Sequence, residues 1–257
     1  MRAVRASLCA ALVVAAPLAA RAVDVASPDG ELYAFPSLAD EHGNVLATST
    51  FDQWIERGRL HLRITHVLRD GRTAVERARF APGKQLVQER WSWDERRGDE
   101  LVRAFEVDLL TGRATARKLE KGEEKRWDER VKVLPRGRTF AGVGVTYAVK
   151  NLRDRLASGE EVKLRAVLFH PQPISLPIQV KHAEREAIEV VGRKVDADRF
   201  EVRPDLKGLE KVIELVKRPL GADVWLHHGR PPMILRIRYP LAELSDPVVV
   251  LDTLGRR

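Results

Sequence analysis

LHLRITHVLRDGRTAVERARF, residues Leu60–Phe80, alternates apolar and polar side chains on both sides of an Asp-Gly pair. Successive side chains of an extended chain point to opposite faces, so Leu60, Leu62, Ile64 and Leu68 share one face and His61, Arg63 and Thr65 the other. Asp70-Gly71 between two such runs is a strong hairpin signal, because the tight turn it favours matches the twist of the flanking strands. The return arm Thr73–Phe80 places Ala74, Ala78 and Phe80 together. The stretch is an antiparallel hairpin with one apolar face, and that face needs cover.

The pattern spreads from there. Pro82-Gly83 turns the chain into a strand over Gln85–Trp93, and Asp94–Asp99 (DERRGD) reads as a polar turn. Glu100–Leu109 follows with Phe105, Val107 and Leu109 on one face, and Thr111-Gly112 leads into Arg113–Leu119. Lys118–Arg130 (KLEKGEEKRWDER) reads as a solvated hairpin tip, helical in part; the alternative is an electrostatic docking strip. Thr146–Leu156 changes period, with Tyr147, Val149, Leu152 and Leu156 close to one helical face and a stop at Ser158-Gly159. Strands return at Glu161–Phe169, Ile174–His182, Ala187–Val191 and Phe200–Arg203, and Pro171, Pro173 and Pro177 imply an edge or bulge. Leu206–Lys217 has the spacing of a second helix. Val224–His228 and Met233–Tyr239 flank a turn at Gly229–Pro232, and from about residue 241 a loosely attached extension is expected. The fold class is mainly β: a curved antiparallel sheet, or half-open β-barrel, packed on one or two short helices. No fixed period marks a propeller or solenoid.

Residues 1–22 read as an export leader rather than as structure. Arg2 and Arg5 precede the apolar run Leu8–Ala16, Pro17 breaks it, and Ala20-Arg21-Ala22 is the small-x-small pattern cleaved by a signal peptidase. The run is shorter than the roughly 20 residues a membrane span needs. Cleavage before Val23 leaves residues 23–257 as a single β-rich domain, with no transmembrane segment. It removes three arginines and no acidic residue, so the formal net charge falls from +8 to +5, and it removes Cys9, the sole cysteine. Redox chemistry and thiolate ligands are thereby excluded from the mature chain. Leu8 before Cys9, with the apolar run following rather than preceding it, excludes lipidation there. The short Ala-rich leader and the lack of disulfides indicate the periplasm of a Gram-negative bacterium. Interleaved charge without a basic stripe argues against nucleic acid as a partner.

The residues that carry chemistry do not gather in the sequence. His61 and His66 diverge on one strand, His227 and His228 are adjacent and diverge, and His170 and His182 have no acidic partner at ligand spacing, so no metal site is expected. No serine lies in a Gly-x-Ser-x-Gly elbow. Gly142-Val143-Gly144 lacks the rest of a phosphate loop and reads as a turn into the helix. Carboxylate pairs such as Asp94/Glu95 fall in polar turns, where no pKa shift is expected. No catalytic residue and no cofactor follows. The aromatic residues leave two readings open. Trp91 and Trp93 share a strand face, Phe105 belongs to the next strand, and Trp225 and Tyr239 come from the last strand pair. They are either plain core or the lining of an apolar cleft.

VVGRKV at Val190–Val195 with DRFEV at Asp198–Val202, then ADVWLHH at Ala222–His228 and ILRIRY at Ile234–Tyr239, resembles uncharacterised exported bacterial β proteins, a domain-of-unknown-function family. These are similar in outline to the lipoprotein-carrier group. The resemblance covers roughly the last 70 residues and implies a half-open barrel that wraps helices and holds acyl chains. It brings no catalytic residue with it. The expected function is a non-enzymatic periplasmic protein that binds a lipid or other apolar ligand in the sheet's cleft. The alternative is a structural or assembly factor of the cell envelope that docks a partner protein. A hydrolase of envelope polymers lacks its nucleophile or metal constellation.

Overall fold

The computed structural model describes residues 22–26, 30–135, 137–190, 192–205 and 221–253. Ala20 and the rest of the leader before Ala22, and the helix expected over Leu206–Lys217, lie outside them.

A meander forms the first half of the molecule. It runs through β1 (Leu32–Ala34), β2 (Ser37–Asp40), β3 (Val45–Glu56), β4 (Arg59–Leu68), β5 (Arg72–Ala81), β6 (Val87–Arg97), β7 (Glu100–Asp108), β8 (Arg113–Glu120) and β9 (Glu123–Arg130). The hairpin over Leu60–Phe80 pairs as expected, Leu62 opposite Ala78 and Val67 opposite Thr73. Its turn is held by the Gly71 N–H donating to Leu68 at 3.1 Å, with Gly71 at φ 84°. Three local readings change. β6 runs through Arg97, so most of DERRGD is strand. Lys118–Arg130 is a β-hairpin with no helical part, and β9 is exposed except at the half-buried Trp127. β3 escaped the periodicity argument because its inward positions include Ala47, Ser49 and Gln53 rather than large aliphatic residues.

The second half contains β10 (Thr139–Ala141), α1 (Val143–Ala157), β11 (Val162–His170), β12 (Gln172–Val190), β13 (Arg193–Pro204), β14 (Ala222–His227), β15 (Ile234–Pro240) and β16 (Val248–Asp252). Ile174–His182 and the described part of Ala187–Val191, which ends at Val190, belong to one nineteen-residue strand, β12, bulged between His182 and Glu184. Its prolines behave as an edge requires. Among the described residues β13 pairs back only to Ile178, with the Asp205 N–H donating to the Pro177 carbonyl at 2.9 Å just beyond it, so Pro173 lies on a stretch paired by β11 alone and Pro177 at the limit of β13. The loosely attached extension is overturned: β16 pairs β15 on one side and β2 on the other, with Val249 and Leu251 buried. VVVLD alternates inward and outward like any other strand of this sheet.

All sixteen strands of the described residues belong to one sheet, ordered β10-β11-β12-β13-β14-β15-β16-β2-β3-β4-β5-β6-β7-β8-β9, with β1 added beside β3. Pairing is antiparallel except for β10 with β11. β9 and β10 end the order and do not pair with each other, so the sheet is curved but not closed into a barrel. The sheet wraps α1, which buries Tyr147, Ala148, Val149, Leu152, Arg153 and Leu156. That burial runs round most of the helix rather than along the one face its spacing predicts, because the concave sheet surrounds it. The Tyr147 hydroxyl donates to Gln53 of β3. No helix of the described residues is long and apolar enough to cross a membrane.

Candidate functional site

The concave face of the sheet and the first turn of α1 enclose a cavity of about 130 Å³. Ile64, Trp91, Phe169, Val224 and Leu251 contribute to an apolar lining, and Pro204, Gly221 and Pro240–Leu244 reach it from the strand ends. Among the described lining residues, Glu76 and Glu243 carry charge.

Glu76 arises from strand period two: it shares the inward face of β5 with Ala74, Ala78 and Phe80. It is 4 % exposed. The Trp91 indole N–H donates to its Oε1 at 2.6 Å, and the backbone N–H of Val143 donates to the same oxygen at 2.7 Å. Val143 opens α1, whose cap residue Gly142 has no side chain with which to bond the helix N-terminus. Glu76 therefore caps that helix from across the core, satisfying one of its orphan amides. Gly142 is required at this contact. It sits at φ 50°, and a Cβ there would lie 1.9 Å from Trp91 Nε1 and 2.2 Å from Glu76 Oε1. Burial drives the Glu76 pKa above the usual carboxylate range, against the two hydrogen bonds that favour the charged form. Tyr239 lines the same cavity, and its hydroxyl is held above the ordinary tyrosine range first by burial and then by the Glu76 charge.

The five aromatic residues singled out from sequence separate in space. Trp91 and Tyr239 line the cavity. Trp93 and Phe105 do not: they are core, with the Trp93 N–H donating to Glu95 at 3.2 Å and Phe105 stacked on Phe169 at 4.7 Å. Trp225 is on the opposite sheet face from Val224. It packs beside Ile188, Val190 and Leu235 and donates to Glu186 at 2.7 Å. Trp225 and Tyr239 sit on opposite faces because β14 and β15 pair Val224 with Ile237, placing Trp225 against Arg236. Glu76 was the residue sequence reasoning missed. Its signal was a carboxylate at an inward position of an otherwise apolar face.

Two further polar clusters form. Glu95, expected in a solvated turn, is fully buried on β6. Arg103 Nε donates to Glu95 at 2.6 Å, and its NH1 reaches Glu243 at 3.1 Å and Asp246 at 2.8 Å. Arg72 also bonds Glu95, and Lys118 bonds Glu243 at 3.0 Å. This network accounts for the second charged group of the cavity wall: Glu243 is matched by cations and anchors the segment before β16. The other cluster centres on Asp198, which is 1 % exposed. His228 Nδ1 lies 2.9 Å from it, Arg185 3.2 Å, His182 3.5 Å and Arg153 of α1 3.6 Å. His182 and His228 thus converge, contrary to the sequence reading, because β12 and β14 flank β13. Burial works to raise the Asp198 pKa, but the His228 and Arg185 contacts outweigh it and hold the carboxyl below its usual range. Among the described residues no group of three or more His, Cys, Asp and Glu side chains is placed to hold a metal ion. Two arginines on Asp198 make this an ion-pair cluster that joins helix to sheet.

No protein-family model matches this chain, and no curated protein does.

Proposed function

We propose that the protein is exported, cleaved after Ala22, and acts without catalysis in the periplasm by binding an apolar molecule between its curved sheet and α1. The observation that carries this reading is the cavity of about 130 Å³, apolar over most of its wall and bounded by Trp91 and Tyr239. Close packing leaves few voids of this size in a protein interior. An engineered apolar cavity of about 150 Å³ takes up benzene, so this one suits a ring or a short alkyl segment. The remainder of a longer lipid would leave past Pro240–Leu244. The leader pattern, from Arg2 and Arg5 through Leu8–Ala16 to Ala20 and Ala22, supports the compartment.

Titration of the purified protein with toluene tests the binding reading, followed by the NMR signal of the Trp91 indole N–H. Saturable binding is expected. Ala166→Leu, which fills the cavity from β11, should remove it while the other indole signals keep their native positions. A flat titration of the native protein would sink the reading.

A further inference from the structure

Glu76 is unlike the other buried carboxylates of this molecule. Glu95, Glu243 and Asp198 each face an arginine or lysine, whereas the described residues offer Glu76 only two N–H donors, and both fall on Oε1. Oε2 receives no hydrogen bond from the described residues, and Glu76 belongs to the cavity wall. Oε2 is not one of the closed-off, unpartnered atoms of the described residues, so it is open to the cavity and takes its partner from whatever fills that space. Among the described residues none donates to Oε2, although Thr146 and Tyr239 also line the wall.

The two N–H donors also fix which oxygen can carry a proton. Oε1 must remain an acceptor, so when the carboxyl is protonated the hydrogen resides on Oε2. A hydroxyl or an amine can then pair with Oε2 in either state, by donating to the carboxylate or by accepting from the acid. A ligand carboxylate could pair only with the acid form, and in either state of Glu76 it would carry its own charge into a largely apolar space, which burial penalises. We infer that Glu76 Oε2 anchors the buried end of the ligand and selects an apolar molecule bearing a hydroxyl or amine over one bearing a carboxylate. This rests on the reading that the cavity holds an apolar molecule.

The test compares four probes of one skeleton on the whole protein by calorimetry: toluene, benzyl alcohol, benzylamine and benzoate. The alcohol and the amine should bind about tenfold or more tighter than benzoate, the span of one hydrogen bond to a charged group. In Glu76→Gln the amide oxygen must face Trp91 and Val143, which turns the NH2 group toward the cavity. Benzylamine should then weaken about tenfold, benzoate should strengthen, and benzyl alcohol, which can accept from the amide, should change least. Equal affinity for alcohol, amine and benzoate in the native protein, with toluene binding intact, overturns the inference and leaves the binding reading standing. An order unchanged by Glu76→Gln also overturns it. If no probe binds, both fall. If the variant does not fold, the native series decides alone.

Discussion

Glu95 and Glu76 lie inward on neighbouring strands, β6 and β5, and the protein treats them in opposite ways. Glu95 is fully buried and bonded by Arg103, Arg72 and the Trp93 N–H. Glu76 has a helix N-terminus, one indole N–H and a cavity. Matching a buried charge with cations makes it part of the scaffold, since removing either partner leaves the other uncompensated. Leaving one oxygen unmatched keeps a carboxyl available to something else. The contrast separates the residues that hold the wall from the residue that faces what enters.

The harshest way to break this contrast is Arg103→Ala. Glu95 and Glu243 would lose their shared cation in a dry site, and a loss of about 3–5 kcal/mol is expected in urea unfolding. A loss below about 1 kcal/mol would mean that the network is slack and that Glu95 differs little from Glu76.

Acid comes next, through a third buried group. His66 is fully buried on β4, its Nδ1 2.7 Å from Ser49 Oγ and its Nε2 without a partner among the described residues. Burial lowers its pKa from 6.5 to about 4. Between those values the unfolded chain binds the proton that the folded one refuses, so stability is full above about 6.5 and falls as the pH drops toward about 4. The lost increment is about 3 kcal/mol, from the size of the shift. His66→Gln should flatten that limb of the stability profile; an unchanged limb would assign it to other groups.

Glu76 titrates with the other sign. Its folded pKa is raised, so the folded state holds a proton that the unfolded one releases. Stability from this group is full below the unfolded value near 4.5 and declines as the pH rises toward the folded one. Glu76→Gln should remove the decline, so that the variant gains on the native protein as the pH rises above 4.5. Glu76→Ala should cost about 1–3 kcal/mol at neutral pH by stranding the Trp91 and Val143 N–H groups. A cost as large as that of Arg103→Ala would erase the distinction between the two sites.

The smallest effect belongs to the exposed hairpin. Arg113 pairs with Asp128 at 2.6 Å across β8 and β9, with both side chains more than half exposed. Arg113→Ala should leave the urea midpoint where it is, because solvent screens such pairs and side-chain freedom opposes them.

The sequence made the hairpins legible wherever period two coincided with large apolar residues. Leu60, Leu62 and Ile64 announce β4, while Ala47, Ser49 and Gln53 hide β3, although both strands face the same core. The class of fold was readable for that reason, and the helix was found from its change of period. The site was readable only in its aromatic part. Trp91 and Tyr239 line one cavity although 148 positions separate them in the numbering, and nothing local tells them apart from Trp93, which is plain core. Glu95 and Glu76 show the same limit. Composition makes one a turn residue and the other a strand charge, and only the pairing of distant segments shows which of them meets an arginine.

β16 has a consequence for how the chain comes to be assembled. It is the seam between β1–β9 and β10–β15, joining β15 to β2 across the middle of the sheet. Every other described strand is synthesised before it. While the ribosome is still translating residue 247, the two halves have no common strand, and the pairing that unites them spans almost the full contour of the chain. Hairpins can form locally during synthesis, but the single sheet is a late, long-range event, and contacts of such high separation make folding slow. A premature stop just before Val248 would thus do more than trim an end: it would leave two unjoined ribbons, each with an open edge ready to pair with a neighbouring molecule.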